Sequence, residues 1–130
     1  MINTQGIFRY RPNWWAWIEV DYELGRYLRR SFLFGHGIKL QKPSWNEHIT
    51  CVSTHEKEKI SHPELWGKHE GITINFSIQT EALYYNGNAY WYDVVSNEVD
   101  NIRLELGLKN PREIPLHFAI GYLTNGKIGV

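Results

Sequence analysis

Two histidines stand in short apolar frames that read alike, His48-Ile49-Thr50-Cys51 and His117-Phe118-Ala119-Ile120. In a strand, residues two apart share a face, so each frame presents its histidine with the second residue after it and turns its apolar residues to the opposite layer. Two imidazoles facing each other across a phosphate form a complete acid–base pair. One takes a proton from an attacking water or ribose hydroxyl, and the other protonates the departing oxygen. That exchange needs no metal. The Thr50 hydroxyl, on the face of His48, can donate a hydrogen bond to a non-bridging phosphate oxygen where charge is held. The second frame carries Ala119 at the matching place and has no such hydroxyl.

The elements that must position these residues repeat along the chain. Residues 14–21, Trp-Trp-Ala-Trp-Ile-Glu-Val-Asp, are aromatic and β-branched and predict a strand. Asp21 can cap a following helix. Leu24, Tyr27, Leu28 and Phe32 recur on its inner face, Glu23, Arg26, Arg29 and Arg30 fall on the other, and Gly35 and Gly37 end it. A connection with Lys39, Lys42 and Pro43 leads to the strand of residues 48–53. The second unit opens with an Asn86-Gly87 turn and a strand over 89–95. A helix capped by Ser96 follows, with Val99, Ile102 and Leu106 inward and Gly107 at its end. A connection with Pro111 and Pro115 precedes the strand of residues 116–123. Between the units, 56–71 is polar with a short helix or loop, and 72–78 alternates strictly as a strand. The expectation is α+β: one domain over residues 1–130, built as two pseudo-symmetric lobes with antiparallel sheets flanked by helices and a groove between them. The first lobe takes 14–53 plus C-terminal strands, and the second takes 72–123.

Fourteen basic residues balance fourteen acidic ones, so no global field draws the chain to duplex DNA or an anionic membrane, and any anionic ligand must be held locally. The single cysteine, Cys51, cannot form an internal disulfide, and no apolar run approaches the length of a membrane span. The start lacks a charged-then-apolar leader. These features point to a cytoplasmic protein.

In its paired histidine strands, each preceded by a helix, the chain resembles the two-histidine phosphoesterase superfamily. Members of that family have duplicated lobes, each carrying a His-x-Thr or His-x-Ser strand. The first motif, His48-Ile49-Thr50, is intact, and the second matches in His117 and its hydrophobic frame while Ala119 departs. The resemblance implies catalytic roles for His48 and His117, a phosphate contact for Thr50, and no cofactor or metal. It implies metal-independent phosphodiesterase activity on RNA-type phosphodiesters, 2′,3′-cyclic phosphates or small cyclic nucleotides. Size and the spacing of the histidines also look like the phage anti-CBASS nucleases, which degrade cyclic oligonucleotide signals; a phage protein of that kind would act in the host cytoplasm. Ala119 leaves three readings open. Another donor such as Ser77 or a backbone amide replaces the hydroxyl, the alanine is an introduced change that slows turnover, or the chain is a sponge that binds nucleotides without cleaving them.

Trp15 and Trp17 lie opposite Ala16, Ile18 and Val20. If the aliphatic face packs under helices, the tryptophans line the groove and can stack bases. His55, His62 and His69 read as solvated loop and helix residues without a zinc-type ligand set. Arg29 and Arg30 read as a solvated helix face.

Overall fold

The computed structural model describes residues 1–43, 45–109 and 112–123. Pro111 therefore lies outside the described residues. Seven strands form one antiparallel sheet: β1 Ile2–Arg11, β2 Trp15–Glu19, β3 Leu40–Gln41, β4 His48–Val52, β5 Thr73–Asn86, β6 Ala89–Val95 and β7 His117–Leu123, in the order β3-β7-β6-β5-β1-β2-β4. Helix α1 spans Tyr22–His36 and α2 spans Asn97–Glu105. The chain is α+β, as expected, and the two antiparallel sheets are joined through the β1–β5 ladder into one.

The order of elements repeats within the sheet. Strands β1 and β2, helix α1 and strand β4 form one half; β5, β6, α2 and β7 form the other, and β1 meets β5 at the centre. Strand β1 carries little hydrophobic alternation because Gly6 occupies a core-facing position. A Cβ there would collide with Ile18 and the Glu19 carbonyl as β2 passes close by. Strand β5 runs on from the expected 72–78 into the hairpin with β6. Its two-residue loop is Gly87-Asn88, one place later than the expected turn, with Gly87 at positive φ.

The core lies between the sheet and the helices: Phe8, Ile18, Ile49, Ile74, Phe118 and Ile120 are fully buried, and Leu28, Phe32, Val99 and Leu106 pack on them. Asp21 caps α1 by accepting from the Glu23 N–H at 2.9 Å, and Ser96 caps α2 by accepting from the Val99 N–H at 3.3 Å. Gly37, at φ 72°, closes α1 with its N–H on the Leu33 carbonyl.

The expected outer face of α1 is corrected at two residues. Arg29 is buried, and Tyr27 is exposed. Arg29 goes inward because a carboxylate and a carbonyl wait for it: Nη1 lies 2.7 Å from Glu47 Oε1 and donates at 3.0 Å to the Ile120 carbonyl. Gly25 makes room for that carboxylate, since a Cβ there would strike it. In the other half, Arg103 of α2 donates at 2.9 Å to the Cys51 carbonyl and pairs with Glu56 at 2.8 Å. Cys51 and Ile120 are equivalent residues, each the third after its histidine. Each is also the extra residue of a β-bulge, skipped between Thr50 and Val52 against β2 and between Ala119 and Gly121 against β6. Each helix thus satisfies the bulge carbonyl of the other half's histidine strand.

Candidate functional site

Strands β4 and β7 approach each other directly, which brings together the two elements that carry the histidines. Arg112, on the segment entering β7, donates at 3.3 Å to the Thr50 carbonyl on β4. The alternation is as expected: His48 and Thr50, and likewise His117 and Ala119, are half-buried, while Ile49, Cys51, Phe118 and Ile120 are buried.

Both imidazoles are held in the same way. His48 Nδ1 lies 2.6 Å from the Asn46 carbonyl, and His117 Nδ1 lies 3.0 Å from the Pro115 carbonyl, in each case two residues upstream. A carbonyl can only accept, so each Nδ1 carries the proton and each Nε2 is left as the acceptor in the neutral ring. Thr50 Oγ1 accepts the Trp15 indole N–H at 3.1 Å. Its own O–H has no acceptor among the described residues and is available to a ligand.

The register extends the likeness across the neighbouring strands. On β2, Glu19 pairs with His48 and Trp17 with Thr50; on β6, Asp93 pairs with His117 and Trp91 with Ala119. A Trp-x-acid-Val run, Trp17-Ile18-Glu19-Val20 and Trp91-Tyr92-Asp93-Val94, therefore accompanies each histidine motif. Its spacing is visible in the sequence, but its alignment with the histidines comes from the strand register.

The aromatic surroundings differ between the halves. Trp15 stacks on Trp17 at 4.5 Å, Trp45 closes over both at 5.0 and 5.2 Å, and Trp15 and Trp45 meet the His48 ring at 5.6 and 5.2 Å. The Arg11 guanidinium sits over this cluster, 5.4 Å from the Trp17 and Trp45 rings. Trp17 is more enclosed than the sequence implies, only 6% exposed, and its indole N–H has no partner among the described residues. Trp45 and Arg11 had no signal beyond their residue types. Around His117 the aromatic cover is thinner: Trp91 lies 6.0 Å from the imidazole and stacks on Tyr84 at 6.0 Å. Glu19 is engaged by Arg9 at 3.2 Å, whereas Asp93 has no ion pair among the described residues.

A cavity of about 660 Å³ adjoins this end of the sheet, lined by Glu19, Asp21, Tyr22, Lys42, Trp45, Asn46 and Glu47 among others, with neither His48 nor His117 in its wall. Ser77, the alternative hydroxyl, donates to Asn3 Oδ1 at 2.5 Å and is already committed. The remaining sequence candidates stand apart. His69 Nε2 lies 2.7 Å from Glu105, His55 and His62 are exposed, and no cluster of metal-ligating side chains forms among the described residues. Burial pushes the Cys51 thiol up to about 12, which removes it as a nucleophile. No described helix is long and apolar enough to cross a membrane.

No family model, curated protein or solved structure matches this chain.

Proposed function

We propose that the protein is a metal-independent phosphodiesterase acting on RNA-type phosphodiesters, 2′,3′-cyclic phosphates or small cyclic oligonucleotides. The observation that carries this reading is the matched tethering of His48 and His117. Each holds its Nδ1–H on a carbonyl two residues upstream, and each keeps Nε2 for proton transfer. One Nε2 accepts the proton of an attacking water or 2′-hydroxyl as the new P–O bond forms. The other ring, protonated, delivers its Nε2 proton to the leaving oxygen as the old P–O bond breaks. The proton gained by the first ring and lost by the second is restored through water. The Thr50 O–H donates to a non-bridging oxygen, and the Trp15–Trp17–Trp45 cluster supplies apolar area for a base. The resemblance to the two-histidine phosphoesterases is consistent with these roles, including the degradation of a nucleotide signal.

Assay with 2′,3′-cyclic nucleotides and cyclic dinucleotides in excess chelator tests this. Turnover is expected to persist, and His48→Ala or His117→Ala each to lower kcat by about 10²–10⁴. Activity that vanishes in chelator, or that survives both substitutions, sinks the reading. Ala119 together with the committed Ser77 hydroxyl favours a second reading, a nucleotide sponge. It predicts tight binding with the ligand recovered intact.

A further inference from the structure

Strand β1 carries two arginines on the face of the sheet that holds the histidines, and their surroundings differ. Arg9 stands opposite Trp17, which in turn stands opposite Thr50, and it is neutralised twice, by Glu19 at 3.2 Å and by Glu70 at 3.1 Å. Arg11 stands opposite Trp15, whose indole donates to Thr50 Oγ1. Among the described residues the Arg11 guanidinium meets only indole rings, Trp17 and Trp45 at 5.4 Å and Trp15 at 6.0 Å. Those rings attract its charge and offer no oxygen to its five N–H donors. Arg11 is exposed, so the donors are open to a ligand.

The same cluster holds a second unsatisfied donor. Trp17 is 6% exposed, and its indole N–H has no acceptor among the described residues. Buried donors are almost always satisfied, so this one, on a ring that Arg11 covers, is a further group that an oxygen-rich ligand would complete.

The tryptophans connect this cation to the chemistry. Trp45 and Trp15 meet the His48 ring at 5.2 and 5.6 Å, so a single layer of indole lies between the imidazole and the guanidinium. A nucleoside phosphorylated on both sides of its ribose has the matching order of parts: an anion, a stackable base and a second anion. The planar Arg11 fork suits the paired oxygens of a phosphate.

We propose that Arg11 binds a second phosphate, the one on the 5′ side of the nucleoside whose base stacks on the tryptophans and whose 3′-side phosphate lies at the histidines. The inference rests on the phosphodiesterase reading for which phosphate reacts. It makes Arg11 a determinant of specificity, favouring nucleotides phosphorylated on both sides of the ribose. The 5′-side anion is either a terminal phosphate or the linkage to a preceding nucleotide.

The test is calorimetric titration in the His117→Ala background, which removes turnover and leaves the tryptophan cluster whole. The ligands are uridine 2′,3′-cyclic phosphate with a free 5′-hydroxyl and the same compound with a 5′-phosphate. The 5′-phosphate is expected to tighten binding by about tenfold or more, the effect of a hydrogen-bonded charge pair. Arg11→Met keeps a stem over the indoles without the charge. It should reduce that preference to within about twofold and leave the affinity of the 5′-hydroxyl ligand within about threefold of its starting value. Arg11→Lys should retain part of the preference, and Arg9→Met all of it, because Arg9 is already engaged by two carboxylates. Far-UV circular dichroism and melting curves check the fold of each variant. A 5′-methylphosphate separates the two sources: a gain that persists assigns the site to a linkage, and a gain that disappears assigns it to a terminal phosphate. Equal affinity for the two ligands in the chain that keeps Arg11 overturns the proposal, as does a preference that survives Arg11→Met or a chain that binds neither ligand. If the unsubstituted chain cleaves neither ligand yet the preference depends on Arg11, the catalytic reading falls and the phosphate site stands. Metal-independent turnover without any 5′-phosphate preference gives the reverse.

Discussion

The two halves of the molecule share a scaffold and differ in what they hang on it. In each, a histidine strand pairs with a Trp-x-acid strand, bulges at the third residue after the histidine, and receives an arginine from the opposite helix. The half with His48 adds a hydroxyl, three tryptophans, Arg11 and an adjoining cavity of about 660 Å³. The half with His117 offers a methyl group, one tryptophan and Asp93 in place of the Arg9-paired Glu19. The halves share what positions the imidazoles and differ in the hydroxyl, aromatic and acidic groups around them, so substitutions in the shared frame should hurt both halves alike and substitutions in the additions only one.

The crossed arginines give the largest stability test of that division. Removing one partner of a buried ion pair costs about 3–5 kcal/mol, because the other charge stays behind without water. Arg29→Met strands Glu47, which is 4% exposed and has no other ion-pair partner among the described residues. Arg103→Met leaves Glu56 with the Ser53 N–H at 3.0 Å and the more distant Arg112, so its cost should sit at the lower end of the range. Urea unfolding of both variants measures the difference, and a cost below about 1 kcal/mol for either would remove the clamps from the shared frame. Acid should separate them further. Burial pushes the Glu56 carboxyl upward, but Arg103, the Ser53 N–H and Arg112 outweigh it and hold the group below the ordinary carboxylate value of 4.5. A group that titrates lower folded than unfolded gives its full stabilisation above the unfolded value and loses it as pH falls through the folded one. The unsubstituted chain should therefore lose stability on acidification below about pH 4.5, and Arg103→Met should lose less over the same interval.

Much of this frame is legible in the sequence because it depends on local rules. The caps Asp21 and Ser96, the stop at Gly107 and the alternation around His48 and His117 follow from short-range chemistry. What escapes is set by neighbours distant in the chain. Strand β1 hides because Gly6 carries no side chain where β2 presses close. Arg29 looks like a surface residue at helical spacing, and only Glu47 and the Ile120 carbonyl, 91 positions away, draw it inward. Trp45 sits in an irregular connection without periodicity, so nothing local marks it as the lid over Trp15 and Trp17. The Trp-x-acid-Val repeat is present in the sequence, but its two runs stand at different distances from their histidines, so only the strand register matches each run to its motif.

The asymmetry at the second motif position gives the next effect. Thr50→Ala removes the hydroxyl that Trp15 orients and should lower kcat by about 10²–10³, the usual loss for one donor to a developing oxyanion. Ala119→Thr should raise kcat, since its neighbour Trp91 occupies the register place that Trp17 holds beside Thr50. The gain should be smaller than the Thr50 loss, because Trp91 stands opposite the position and no described residue plays the part of Trp15, whose indole steadies the hydroxyl. Single-turnover rates with a 2′,3′-cyclic nucleotide measure both. Equal effects of opposite sign would mean the halves are functionally interchangeable. If Ala119→Thr leaves activity at background while binding persists, the sponge reading replaces the enzyme.

The smallest effect separates ligand holding from proton transfer most cleanly. Trp45 is 36% exposed at the mouth of the large cavity, in contact with His48, Trp15 and Trp17, and it supplies an indole face without entering any hydrogen bond described for the site. Trp45→Ala should weaken nucleotide binding by about 1–3 kcal/mol, the range for losing one stacked base. Trp91→Ala should cost less, because Trp91 already shares a face with Tyr84 and borders no comparable aromatic cluster. Calorimetric titration of both variants in the His48→Ala background reads binding without turnover. A larger loss at Trp91 than at Trp45 would move the base to the His117 half and reverse the assignment of the two halves.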